Sequence, residues 1–427
     1  MPVLVGLVIG LCAAPLLLPR IIGRADPVAK AIMTQVRPGP QARFYRSRNY
    51  RPLWITHGRI DPAAWSLLTT VRGARADDLD PAAYHPAELA ADLSRPPRDP
   101  SSQAAADLAL SRALANYVAD LHRPPPVAAM AFVDPAVPTA PIDPSTILER
   151  AAAAPSLSSA LKAALRMNPI YERLRAIFDR PGLPGSEAAL VRINLERARA
   201  LPPDLGRRYL LVNIPGQTLE AFDNGHKALA MRVVVGASDN KTPAMIGAIR
   251  YALFNPYWQV PPDLVREDIA PAVIRDPRYL ALKHYEAVAP AGVDWEAVEQ
   301  DEATVEVRQT PGPDNVMGKV KFMLPNPLGI YLHDTPDKYL FAETRRTDSH
   351  GCVRLQNALR LADWLFARRI RPDRSGPPDQ RTDLSPPVPV YIVYLTLMPS
   401  GGRLKVSPDI YQRDAVLSAD LAAGRRV

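Results

Sequence analysis

Tyr209-Leu-Leu-Val-Asn-Ile-Pro-Gly-Gln-Thr-Leu-Glu-Ala-Phe-Asp-Asn-Gly-His-Lys-Ala-Leu-Ala-Met-Arg-Val-Val-Val-Gly236 is the stretch that sets the fold class. Residues 209–214 read as a strand, Pro215-Gly216 as a turn, and 218–222 as the returning strand. Asn224-Gly225 is a tight-hairpin signal, because both central residues of that turn need positive φ. Residues 229–235 form the next apolar run, ended by Gly236. Downstream, 246–254, 328–332 and 388–397 are also strand-like. Short apolar runs punctuated by turn residues predict a sandwich or barrel-like β domain. Residues 257–310 interrupt it with a Pro-rich segment, helical at about 263–280, of the size of a lid or substrate-capping insertion.

The character differs upstream of Pro202-Pro203. A helix is expected from about residue 101, capped by Ser101 or Ser102, with Leu110, Leu114, Tyr117 and Leu121 on one face. His122-Arg-Pro-Pro-Pro126 stops it, and a Pro-rich connection follows to about Pro144. Further helices are expected at 156–167, 169–178 and 186–200. The aromatic and basic run Phe44-Tyr-Arg-Ser-Arg-Asn-Tyr-Arg-Pro-Leu-Trp54 can stack on sugars or bases, but reads better as aromatics packed into a core. The fold class is therefore α+β: a helical domain over 25–200 with Pro-rich linkers, a mainly β domain over 201–415 carrying the insertion, and a tail at 416–427.

Composition bounds the partners. The chain has 427 residues, with 47% hydrophobic and 22% charged, which excludes a wholly disordered or multi-span membrane protein. Its 47 prolines imply many turns and stiff connections. The 52 basic against 44 acidic residues leave +8, which favours anionic partners, yet no Lys/Arg block supports nucleic-acid binding. Residues 3–18 are uncharged and apolar, followed by Arg20 and Arg24, and suit an export signal or a marginal membrane anchor within residues 1–24. Removal of that segment, which holds Cys12, would leave Cys352 as the lone thiol. A lone thiol in an oxidising compartment has no internal disulfide partner and calls for another explanation.

The chemistry concentrates in Tyr331-Leu-His333-Asp334 and Ser349-His350-Gly351-Cys352-Val353-Arg354. These place two of seven histidines near the only cysteine outside the apolar leader. A cysteine nucleophile needs a base close by, and His333 can supply one if the 18 intervening residues fold back. Gly351 permits close substrate approach, and the Gly351 and Cys352 N–H groups can hold an oxyanion. A helix at about 357–368 would point its positive end toward the sulfur. A metal held by His333, His350 and Cys352 lacks a fourth ligand and any paired motif, so no metal is expected. The Asp334 side chain should point away from His333 if this is a strand.

The spacing of His333 and Ser349-His-Gly-Cys-Val-Arg354 resembles the signature of YkuD-type L,D-transpeptidases. Asn255-Pro-Tyr257-Trp258-Gln-Val-Pro-Pro262, the run from Pro311 to Phe322, Tyr331 to Pro336, Asp409 to Asp414 and Asn194-Leu-Glu-Arg197 are similar to the large YcbB-like branch, as is the helical region to its scaffold domain. The small peptidoglycan-binding module usual in that branch is missing, since only about 15 residues separate Phe178 from Ile193. The resemblance implies Cys352 as nucleophile and His333 as acid and base, with the Asp334 carbonyl fixing the imidazole tautomer. It further implies Ser349, His350, Gly351 and Arg354 shaping the loop, Arg354 also meeting a substrate carboxylate, and Tyr257, Trp258, Tyr331 and Asp334 lining the substrate groove. It implies a periplasmic enzyme joining peptidoglycan stem peptides through diaminopimelate, inhibited by carbapenems and needing no cofactor. An L,D-carboxypeptidase and an inert wall-binding scaffold are the alternatives. Nothing in the sequence fixes the oligomeric state.

Overall fold

The computed structural model describes residues 26–423 except 129, 135–142, 290–291, 371, 374 and 401–402. The apolar segment at 3–18 and Cys12 lie outside them. No helix among the described residues is long and apolar enough to cross a membrane.

Helices fill the chain from Pro27 to Arg199, and its prolines account for many of their starts. Pro27–Gln35, Pro40–Ser47, Pro86–Ser94, Pro100–His122, Pro144–Ala153 and Pro169–Phe178 all open on proline. At that position the missing N–H costs nothing and the fixed φ is already helical. The preceding residue is often the cap: Asp26, Asp99, Asp143 and Asn168 accept backbone N–H groups of the first turn. The long helix is thus capped by Asp99, accepting from Ser102 N at 2.9 Å, rather than by Ser101 or Ser102. Helices at 27–35, 40–47, 63–72, 86–94 and 144–153 add to those placed individually from the sequence, within the region expected to be helical.

Phe44, Tyr45 and Trp54 are buried in this helical core, so the aromatic-basic run is structural. Its fixed point is Asp107, fully enclosed on the Pro100–His122 helix. Asp107 accepts the N–H groups of Leu53, Trp54 and Ile55 at 3.0, 2.7 and 3.1 Å, and the Tyr45 hydroxyl at 2.5 Å. Loss of water around the carboxyl raises its pKa, and the hydrogen bonds oppose that rise.

From Arg208 the chain becomes a closed sheet. Met245–Phe254 pairs with Gln380–Val393 on one side and Val320–Met323 on the other. From Val320–Met323 the circuit continues through Leu332–His333, Val353–Leu355, His226–Gly236, Thr218–Asp223 and Arg208–Asn213, and returns to Gln380–Val393. The expected strand at 328–332 is replaced by a turn ahead of Leu332, and the expected strand at 388–397 begins earlier, at Gln380. Apolar side chains from these strands and from the helix Ala358–Phe366 fill the interior. The insertion packs around its own small core of Val260, Val265, Ile269, Ala270, Val273, Val298 and Val307. Its three strands run in the order Trp258–Gln259, Glu306–Gln309, Tyr285–Val288. Residues 416–422, expected as tail, belong to the helix Arg413–Ala422, because Leu417 and Leu421 bury against the helical domain.

Helix Gly185–Arg199 joins the two halves. Arg199 and Glu196 are completely enclosed and paired at 3.0 Å, and Arg199 also donates to the Asp77 and Leu121 carbonyls of the helical domain. Asn194 and Arg197, on the same helix, reach Thr396, and Arg197 reaches Asp414, beyond the sheet.

Asp107→Ala strands the backbone N–H groups of Leu53, Trp54 and Ile55 and leaves the Tyr45 hydroxyl to Ser111 Oγ at 2.6 Å. We expect a loss of about 3–5 kcal/mol in urea unfolding followed by far-UV circular dichroism. A loss under about 1 kcal/mol would show that water readily replaces the carboxylate.

Candidate active site

The site forms where a fold-back brings two short strands into parallel pairing. Leu332 lies opposite Val353 and His333 opposite Arg354, and Val353 N donates to Tyr331 O at 3.1 Å. Continuing the register by one residue sets Cys352 beside Tyr331. Neighbours across paired strands share a face, so Tyr331, His333, Cys352 and Arg354 project together. Lys321, opposite His333 on the antiparallel neighbour, joins them.

The connection between the two strands is pinned from outside. Arg346 is buried and donates to the carbonyls of Val233, Glu343 and Gln217. Arg232 donates to Phe341 O at 2.7 Å, and Lys338 reaches the carbonyls of Leu355 and Gln356. Ser349 then fixes the turn that carries the sulfur: its hydroxyl donates to Cys352 O at 2.6 Å and accepts Gly351 N at 3.3 Å. Gly351 has φ +102°, a conformation that glycine adopts without strain, and its carbonyl accepts the Thr242 hydroxyl at 2.8 Å. That hydroxyl in turn accepts Gly236 N, and Tyr411 donates to Gly236 O at 2.6 Å.

His333 is buried, and its Nδ1 lies 2.6 Å from Asp334 O. A carbonyl can only accept, so Nδ1 carries the proton and Nε2 keeps a free lone pair. Burial, then the Arg354 charge, push the imidazolium down to about 3. Cys352 keeps partial access to solvent. Crowding by protein raises its thiol, opposed by the Tyr331 N–H and hydroxyl and by the charges of Arg354 and Lys321. Its Sγ contacts Gly329 O at 3.6 Å rather than the imidazole. Both shifts favour a neutral thiol beside a neutral imidazole.

Several assignments change. Gly351 N–H is turned to Ser349, so it does not hold an oxyanion here. His350 is exposed and takes no part in the loop's hydrogen bonds. Arg354 lies 3.8 and 3.9 Å from the loop carboxylates of Asp337 and Asp348. The Asp334 carboxylate is occupied by Lys319 N–H at 2.9 Å and by the Lys338 ammonium, on the face away from Cys352, which removes it from the groove. Trp258 packs in the insertion's core, 6.2 Å from Tyr285. Tyr257 is covered by Arg308, 4.1 Å from its ring, although its carbonyl reaches Lys321. The helix Ala358–Phe366 starts after Gln356 and Asn357, beyond the Val353–Leu355 strand. Lys321, Thr242 and Tyr411 were not singled out in the sequence, since each gains its role from strands or loops far away in the chain. Among the described residues no group of three or more His, Cys, Asp or Glu is arranged to hold a metal.

Residues 207–389 match the family model of the L,D-transpeptidase catalytic domain, YkuD, and residues 40–177 match that of the scaffold domain. A Haemophilus influenzae protein named "Putative L,D-transpeptidase" is 32% identical over 235 residues, which are 52% of this chain and 47% of that protein. The chain thus spans about half the length of this curated relative. Among solved structures, an L,D-transpeptidase from Mycobacterium smegmatis is 13% identical, covering 44% of this chain and 58% of its own, with a TM-score of 0.23. The catalytic domain of an Enterococcus faecium L,D-transpeptidase is 16% identical over 43% of this chain and 95% of its own, with a TM-score of 0.21. Such scores leave the assignment to the two family models and the curated relative. Residues 207–389 are therefore a YkuD-type L,D-transpeptidase catalytic domain, joined in one chain to a scaffold domain at residues 40–177.

Proposed function

We propose that this protein is a peptidoglycan L,D-transpeptidase working through a thioester on Cys352. The observation that carries the reading is the shared face of Cys352, Tyr331 and His333, with the imidazole tautomer set by Asp334 O. As Sγ attacks the carbonyl carbon of the diaminopimelate–D-Ala bond, the thiol proton passes to Nε2 of His333. The oxyanion is met by the Cys352 N–H and by the Tyr331 donors that face the sulfur. Collapse breaks the C–N bond, and the imidazolium returns its proton to the departing D-Ala amine. The side-chain amine of a second stem attacks the thioester and gives its extra proton to His333. The C–S bond then breaks, the sulfur takes that proton, and two diaminopimelate residues are joined directly. The substrate lies outside the cytoplasmic membrane, so the reading requires export, which the apolar residues 3–18 suit.

The low basicity of His333 costs driving force for proton transfer but keeps the imidazole in its base form at every physiological pH. Arg354 and Lys321 favour the developing thiolate. The lid-like insertion borders the same face through Tyr257 O on Lys321.

Incubation with a purified tetrapeptide muropeptide should add an acyl mass on Cys352 and release D-Ala; Cys352→Ala should form no acyl adduct, and His333→Ala should lose at least about 1,000-fold in its rate of formation. Full cross-linking by either variant refutes the assignment. Tripeptide in place of dimer, with a second stem present, assigns the chain as an L,D-carboxypeptidase, and no adduct even with a carbapenem marks an inert scaffold.

Iodoacetamide labelling of Cys352, mapped by peptide mass, should rise through the alkaline range with a midpoint above the ordinary thiol value near about 8.5. The sign follows from burial: a raised thiol pKa delays the thiolate to higher pH. A midpoint below pH 7 would mean a preformed ion pair.

A further inference from the structure

Two cations face the sulfur, and they are not equivalent. Arg354 has two loop carboxylates within ion-pair distance. Lys321 has none among the described residues. Its ammonium lies 5.8 Å from the centre of the Tyr331 ring and 3.4 Å from Tyr257 O, a long contact with a neutral acceptor. The other ionisable groups turned toward it are Cys352, His333 and Asp379. Asp379 stands beyond ion-pair distance and accepts Tyr257 N–H at 3.2 Å. Arg308, over the Tyr257 ring, is already paired with Glu286 at 2.8 Å. The half-buried Lys321 is thus a cation held beside the nucleophile without an anion of its own.

From this arrangement we infer that Lys321 is the residue that binds a carboxylate of the donor stem and so sets the reacting bond over Cys352. The inference rests on the transpeptidase reading for the identity of the substrate. A tetrapeptide stem offers two candidate carboxylates in reach of the scissile bond: that of the terminal D-Ala and that of the D-centre of diaminopimelate. An ammonium–carboxylate contact, partly removed from water, is worth far more than one at the surface. The lost hydration of the lysine, which lowers its pKa in the free enzyme, is restored when the carboxylate arrives.

The test is equilibrium binding by calorimetry in a Cys352→Ala background, where no acyl transfer intervenes. The ligands are the free-acid tetrapeptide stem, its terminal D-Ala amide, and the stem amidated at the diaminopimelate D-centre. Lys321→Met should weaken the free acid by about 10- to 100-fold. It should leave unchanged the stem whose amide replaces the contacted carboxylate, which names the carboxylate. Lys321→Arg should recover part of the loss. An equal loss on all three ligands would make Lys321 a structural prop for the insertion, and no loss on any would remove it from recognition; either result overturns the inference. Discrimination that persists while the Cys352 enzyme forms no thioester would instead sink the transpeptidase reading and leave the carboxylate contact standing.

Discussion

The parallel pairing of Leu332–His333 with Val353–Leu355 is the contact on which the site depends. Parallel neighbours cannot be joined by a hairpin, so the chain must leave the sheet and come back. That return places Cys352 at the start of one strand, level with Tyr331, and His333 one step further along the other. A register shift of one residue would turn the sulfur and the imidazole to opposite faces. Much of the surrounding chemistry prevents such a shift: Arg346, on the connection, donates to the Val233 and Gln217 carbonyls, Arg232 holds the connection by the Phe341 carbonyl, and Lys338 clamps its start to the far end of the second strand.

The groups that look catalytic in sequence divide into Cys352, His333 and Arg354, which share a face with Tyr331, and those that hold the turn carrying the sulfur, where Ser349 and Gly351 belong with Thr242, Gly236 and Tyr411. Gly236 is obligatory on steric grounds, since a Cβ there would lie 2.0 Å from Asn240 O. Burial makes the site electrically quiet at rest, with the imidazole pushed down and the thiol pushed up. In the transpeptidase reading proposed above, the same burial strengthens the charges that develop during reaction, which Arg354, Lys321 and the Tyr331 donors face.

The helical domain is tied to this site by a buried pair rather than by apolar contact alone. Arg199 and Glu196 satisfy each other inside the junction helix, while Asn194 and Arg197 extend its reach to Thr396 and Asp414. The strand Ala131–Phe132, between two helices of the first domain, also pairs with Met245–Phe254. Asp134, just after it, is buried against Arg250 at 2.7 Å. The sheet that carries the Cys352 and His333 face is therefore edged by the domain that precedes it.

Local signals determined what local forces decide. Asn224-Gly225 announced its hairpin because its geometry needs positive φ, and His333 with Ser349-His-Gly-Cys announced a cysteine site because few side chains can supply a nucleophile and a base. The prolines were legible only as punctuation. Four of the prolines begin a helix behind a capping aspartate or asparagine, at Asp26, Asp99, Asp143 and Asn168, while Pro40 and Pro86 begin one without such a cap. Short strands such as Val320–Met323 and Val353–Leu355 carry too few residues for a period to show. Tertiary structure alone decided that Lys321 faces the sulfur while Trp258 packs in the insertion, whereas strand alternation had already turned Asp334 away from His333. Which side of a sheet a residue takes, and which charge it finds there, depends on a partner strand that the local sequence does not name.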